Sequence, residues 1–208
     1  MTVEDKPKTR RRKAARPGEI VEAGLAEFAQ HGFERARLDR IAKRAGIAKG
    51  TIYLYFPSKE ALFTAAIEEY IVQTMAENDA VIDSFDGDTE DLVRIVLKTT
   101  YTNILRPETR AVMRIVIAEA ERLPDISRQF HDMAVRKGLG ILKKIVARGI
   151  KRGDLQENAA TRTPQLIIAP AFYLAVNLMA FGQIEELDVD AYFEGHIEMV
   201  MRGMTNPE

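Results

Sequence analysis

The chain has 208 residues, 46 % of them hydrophobic and none of them cysteine, which allows a sizeable core and excludes disulfides and thiolate metal sites. The net charge of −1 conceals a division: residues 1–59 hold 14 Lys or Arg against 7 Asp or Glu, the remainder 16 against 24. Only the N-terminal end is built to meet a polyanion.

Residues 1–16 carry seven basic side chains and little apolar surface, which predicts a basic, flexible arm. This opening runs into a helix with acidic residues, not into an apolar stretch, so no secretory signal is read and a cytoplasmic location is expected. Almost every later segment repeats with helical period and none alternates like a strand, so the fold should be all-α, with about nine helices. Pro17 suits the first turn of a helix that ends at His31 and Gly32, with Ile20, Ala23, Gly24 and Phe28 on one face and Phe33 packing back. A second helix over 38–45 gathers Leu38, Ile41, Ala42 and Ala45 and stops at Gly46. A third follows over 48–55. Pro57 breaks the chain again, and Ser58 can cap a long fourth helix with Glu60 in its first turn. That helix ends near the acidic stretch 83–91, where Asp88 or Thr89 can cap the next, which runs to about Arg106. Further helices are read at 107–121, 124–152, 164–181 and 189–204, three of them opening on a proline.

Two short helices joined by a tight glycine turn can cross so that the second enters the DNA major groove. Residues 38–56 have that form, and residues 17–60 are read as the DNA-binding unit, with 61–208 as a larger helical domain. In the second of the two helices, Lys49 is a donor for guanine or phosphate, and Thr51 can donate to phosphate or touch a thymine methyl. Tyr53 and Tyr55 can bond phosphate while their rings lie on the sugar. Gly50 permits close approach of the helix to the DNA backbone, at a helix-propensity cost of about 1 kcal/mol. Lys59 stands where a clamp on a second phosphate is useful, and Arg37 and Arg40, with Lys43 and Arg44, can supply further backbone contacts.

The run IVEAGLAEFAQHGF followed by IAKRAGIAKGTIYLYFPSKEALF, within 17–63, resembles the tetracycline-repressor-like (TetR) regulators, whose glycines, aromatics and closing Ser-Lys-Glu recur in one fixed order. The resemblance implies a three-helix DNA-binding domain, a helical ligand-binding domain, and a homodimer that represses from a palindromic operator and lets go when ligand binds. Two positions depart from the family pattern. Arg37 replaces the usual Thr or Ser that caps the second helix, and Glu27 replaces an apolar residue. The segment RAVMRIVIAEAERLPDISRQFH is similar to the ligand domain of the AefR-like branch.

A small-molecule effector, hydrophobic or amphipathic, is expected among the fourth to eighth helices, with Tyr101, Met113, Phe130, Met133, Phe172, Val176 and Asn177 as candidate lining. The apolar run 166–181, at 16 residues and with Pro170 and Asn177 inside it, is too short for a membrane span and too apolar for one buried face. It is read as half of a four-helix dimer interface with the last helix, through Tyr173, Val176, Ala180, Tyr192, His196, Ile197 and Val200. The three histidines lack partners at ligand spacing, and no nucleophile with its base and no carboxylate pair appears, so neither metal, cofactor nor enzyme chemistry is expected. A ligand-responsive activator is one alternative. A helical protein-interaction adaptor is another, but it leaves the basic helix-turn-helix unused.

Overall fold

The computed structural model describes residues 8–72, 75, 79, 81, 82, 84–184 and 186–205, with side chains from residue 17 onward except at 72. Among the described residues the fold is all helix, with nine helices and no strand. The first, α1, spans Lys8–Arg35 and is interrupted at Gly32, whose backbone takes φ 74° and ψ 165°. It therefore begins inside the segment expected to be a flexible arm, of which residues 1–7 lie outside the described residues. Eight of the nine residues at 8–16 are Arg, Lys or Ala, all good helix formers, and Pro17 consequently sits within the helix rather than in its first turn.

The break at Gly32 turns Phe33 back onto the domain. Its ring stacks on Phe28 at 5.4 Å and meets Phe63 edge-on at 5.5 Å. Helix α2 covers Leu38–Arg44 and α3 covers Lys49–Tyr53, with Gly46 at φ 66° making the turn between them, a conformation that side chains with a Cβ resist. Ser58 then caps α4, Lys59–Ile67, by accepting from the Ala61 N–H at 3.1 Å. A wider turn over Glu68–Val72 follows, and positions 75, 79, 81, 82 and 84 are helical as well.

Asp88 caps α5, Thr89–Ile104, from the Asp91 N–H at 2.8 Å. Helix α6 is Pro107–Glu119. Helix α7 is continuous through Pro124–Phe130, a wide-turn segment His131–Val135, and Arg136–Arg152. The last two are α8, Gln165–Ala180, and α9, Val189–Met204.

Two apolar clusters hold these helices. One gathers Ile20, Phe28, Ile41, Ile52 and Phe63 from α1–α4, and is completed by Val112, Ile115 and Val116 of α6 and Ile126 of α7. The other joins Leu92 and Leu97 of α5, Ile145 of α7, Leu174 of α8 and Phe193, Ile197 and Met204 of α9. Met113 belongs to the second cluster, so α6 has one face in each. Burial of this kind supplies the main stabilising free energy, about 25 cal/mol for each Å² of apolar surface removed from water.

Candidate nucleic-acid interface and internal cavity

Helix α3 is held from one side only. Ile52 is fully buried against α1 and α2, while Lys49, Gly50, Tyr53 and Leu54 face outward. Lys49 and Tyr53 are four residues apart and share a face, and Gly50 and Leu54 share the neighbouring one. Tyr53 is 50 % exposed and Leu54 81 %, a high value for a leucine at the end of a short helix. Thr51 and Tyr55 are half-buried, and Tyr55 packs partly on the adjoining apolar cluster. A Cβ built on Gly50 would have no atom within 4 Å, so nothing inside the chain requires glycine there. Leu54 was missed in the sequence because its place in an apolar, aromatic run reads as core.

The two departures at Glu27 and Arg37 are linked. Glu27 is only 1 % exposed, and its carboxylate Oε1 accepts from the Arg37 backbone N–H at 3.3 Å and from the Arg40 guanidinium Nε. The first N–H groups of a helix lack partners within it, and Arg37 offers no side-chain cap to α2. A carboxylate from α1 therefore takes the N–H of the N-cap residue itself, the bond that the Glu of a capping box makes, and not the N–H further into the helix that a capping threonine would take. The His31 imidazole lies 3.6 Å from the other oxygen of the same carboxylate.

This arrangement changes the reading of three candidate DNA contacts. Arg40 is committed to Glu27 and, through Nη2, to the Arg35 carbonyl at 2.6 Å. Arg37 extends into solvent, its Nε donating to Asp39 at 3.1 Å, and that bond holds the Asp39 carboxyl below its usual range. Lys59 does not stand free as a clamp. Its ammonium donates to the carbonyls of Glu34 at 3.0 Å and Ala36 at 3.4 Å and lies 4.7 Å from the Phe33 ring centre. Carbonyls left open at the C-terminal end of α1 need a donor, and Lys59 is placed to supply it. Nearby, Arg122, just past α6, grips Glu34 with two bonds of 2.9 and 2.8 Å, holding that carboxyl below its usual range and tying the end of α1 to the larger domain.

A cavity of about 460 Å³ lies among α5, α6, α7, α8 and the segment after α4 that carries Tyr70, Ile71 and Met75. Met113, Phe130 and Phe172 line it as the sequence suggests, together with Leu142, Ile168 and Ile104. Four of the expected lining residues do not. Tyr101 is buried in the second cluster, its hydroxyl 2.9 Å from His196 Nδ1; Met133 packs toward the first cluster. Val176 faces outward, and Asn177 lies more than a turn beyond Phe172 on α8. Thr100, Asn103 and Thr109 line the wall instead, and nothing in the periodicity of α5 and α6 singles them out.

On α8, Tyr173, Val176 and Ala180 are exposed, and Phe181 and Ile184 continue the apolar surface. The expectation for α9 is corrected in part. His196, Ile197 and Val200 are buried in the chain's own core and have no surface to offer a partner. Tyr192 is half-buried, stacks on Tyr173 at 6.2 Å and donates its hydroxyl to the Pro170 carbonyl at 3.0 Å. Among the described residues no group of three or more His, Asp or Glu is placed to hold a metal, and no helix is long and apolar enough to cross a membrane.

Comparison with known proteins agrees with this architecture. Residues 20–66 match the family model of bacterial regulatory proteins, tetR family, and residues 84–191 match that of the tetracyclin repressor-like C-terminal domain. The fatty acid metabolism regulator protein of Bacillus subtilis is 23 % identical over 189 residues, covering 90 % of this chain and 95 % of its own. Two solved structures share the fold with a TM-score of 0.77: the fatty acid degradation regulator FadR of Bacillus halodurans and FadR of Bacillus subtilis in complex with stearoyl-CoA. They are 20 % and 21 % identical respectively, and each match covers 89 % of this chain and 98 % of the other. With both parts of the chain matched and the second match alone spanning just over half of it, the chain belongs to the TetR family of DNA-binding transcriptional regulators.

Proposed function

We propose that the protein is a ligand-responsive repressor that binds a palindromic operator as a homodimer in the cytoplasm and is released by a small hydrophobic effector. Residues 17–60 serve as the reading head and 61–208 as the sensing and dimerising part. Lys49, Thr51, Tyr53, Tyr55 and Leu54 meet the DNA across Gly50, and Arg37 reaches a phosphate beside them. The exposed stripe of Tyr173, Val176 and Ala180 pairs with its symmetry mate, which brings two heads to one duplex.

The observation that carries the reading is the double use of α6. Thr109 and Met113 line the cavity, while Val112, Ile115 and Val116, interleaved with them on the same helix, form part of the core beneath α1–α4. A molecule that pushes on one face of α6 must displace the other, because packed cores have little free volume in which to absorb the shift. The fatty acid regulators among the relatives, one of them solved with stearoyl-CoA, favour a ligand with an apolar chain, which suits the lining of this cavity.

Footprinting on a selected duplex tests the proposal. Protection should span two half-sites about 10 base pairs apart or a multiple of that, and should disappear on adding an apolar ligand that fills the cavity. Protection of a single half-site, or protection indifferent to every ligand that binds, would contradict it.

A further inference from the structure

The chemistry of the cavity wall narrows the class of effector, an inference that rests on the ligand-responsive reading above. Among the described residues, every side chain that lines the cavity is uncharged, with no Lys, Arg, His, Asp or Glu. An ionised group buried there would lose its hydration without gaining a counter-charge. Yet the wall is not wholly apolar. Thr109, in the first turn of α6, is 7 % exposed, and its hydroxyl is buried with no hydrogen-bond partner among the described residues. Buried polar groups are ordinarily paired, so a lone one beside a cavity marks where a bond is to be made by something else.

Two further polar side chains of the lining, Thr100 and Asn103, lie on α5. Thr100 donates its hydroxyl to the Val96 carbonyl at 2.9 Å, which leaves its oxygen as an acceptor. Asn103 donates its amide to the Thr99 carbonyl at 3.0 Å, which leaves its own carbonyl oxygen as an acceptor. Tyr70 and Gln165 add a hydroxyl and an amide to the lining, and Met113, Phe130, Leu142, Ile168 and Phe172 offer apolar contact.

We infer that the cavity takes an uncharged amphipath: an apolar chain or ring system bearing one neutral oxygen, a hydroxyl or the carbonyl of an ester or thioester, which bonds Thr109. Any ionic group on the molecule stays outside the cavity. The volume of about 460 Å³ falls within the range of small-molecule sites and admits a medium-length chain with its head group.

The test uses the full-length protein and four probes of one chain length: decanol, methyl decanoate, decanoate and decane. Binding is read by calorimetry and by the shift in melting temperature. Decanol and methyl decanoate should bind about tenfold or more tightly than decanoate at neutral pH, and should exceed decane. Of these two, the one that binds tighter tells hydroxyl from carbonyl. In Thr109→Val, which keeps the shape and removes the hydroxyl, the melting temperature without ligand should hold or rise, and the advantage of the oxygenated probes over decane should vanish.

Decanoate binding as tightly as decanol overturns the inference, and so does a Thr109→Val protein that binds decanol undiminished. An operator titration with the same probes separates this from the reading it rests on. If the probes bind as expected but leave operator affinity unchanged, the ligand-responsive reading falls and the chemistry of the cavity stands. If decanoate releases the operator as well as decanol does, the reverse holds.

Discussion

Gly50 lies in a five-residue helix where a Cβ would meet nothing within 4 Å, although alanine is the better helix former by up to about 1 kcal/mol. A residue that costs stability and relieves no internal clash points to a surface that comes from outside. Gly50→Ala should therefore raise the melting temperature slightly or leave it unchanged while weakening operator binding; equal binding by the variant would place the DNA elsewhere. Glu27 is the opposite case, buried and fully engaged. Glu27→Gln keeps an acceptor for the Arg37 N–H but weakens the bond from Arg40, which is itself partly exposed, so chemical denaturation should show a loss of about 1 kcal/mol. The family pattern made both positions visible as departures, but not their pairing. Residues 27 and 37 meet only once the break at Gly32 turns the chain back, and that geometry has no local signature. The partners of Lys59 are hidden in the sequence for the same reason, since the carbonyls it bonds come from residues more than twenty positions earlier.

Among the elements, the helix starts at Ser58 and Asp88, the glycine turn between α2 and α3, and the ends of α9 follow from capping and period, and the structure places them within a residue or two of where the sequence does. The side of α9 that faces inward was less legible, because both a core and a dimer interface are apolar. His196 decides it. Its Nε2 lies 2.8 Å from the Ile167 carbonyl and so carries the hydrogen, and its Nδ1 accepts from Tyr101, so one neutral imidazole joins α5, α8 and α9. Burial pushes the His196 pKa down from its ordinary value, against a smaller opposing pull from the Ile167 carbonyl. The unfolded chain therefore binds this proton more readily than the folded one. The stabilisation is fully present above the unfolded value, near pH 6.5, and is lost as pH falls through the lower folded value. Between about pH 7.5 and about pH 5 the wild-type protein should lose more stability than His196→Gln; equal slopes in thermal melts would show that the histidine is not buried neutral.

For the whole molecule, the division of charge along the sequence anticipates a basic head and an acidic body, while the surface proposed for a dimer is one that only the fold sorts from the core. With His196, Ile197 and Val200 in the core, a charge on α9 at those sites would unfold the chain and say nothing about association. Val176 is 44 % exposed on α8, so Val176→Glu should leave helicity intact, halve the mass in light scattering and weaken operator binding. A dimer of unchanged mass would move the interface off this helix. The central claim, that α3 is the reading head of a sequence-specific regulator, is tested most directly by selecting duplexes from a random pool and titrating the winner by fluorescence anisotropy across a salt series with wild-type protein, Lys49→Ala and Tyr53→Ala. An enriched two-fold symmetric sequence should emerge, its affinity falling with salt while its preference persists. Both variants should fold normally and lose that preference. No enriched sequence, or full preference in both variants, would contradict the account.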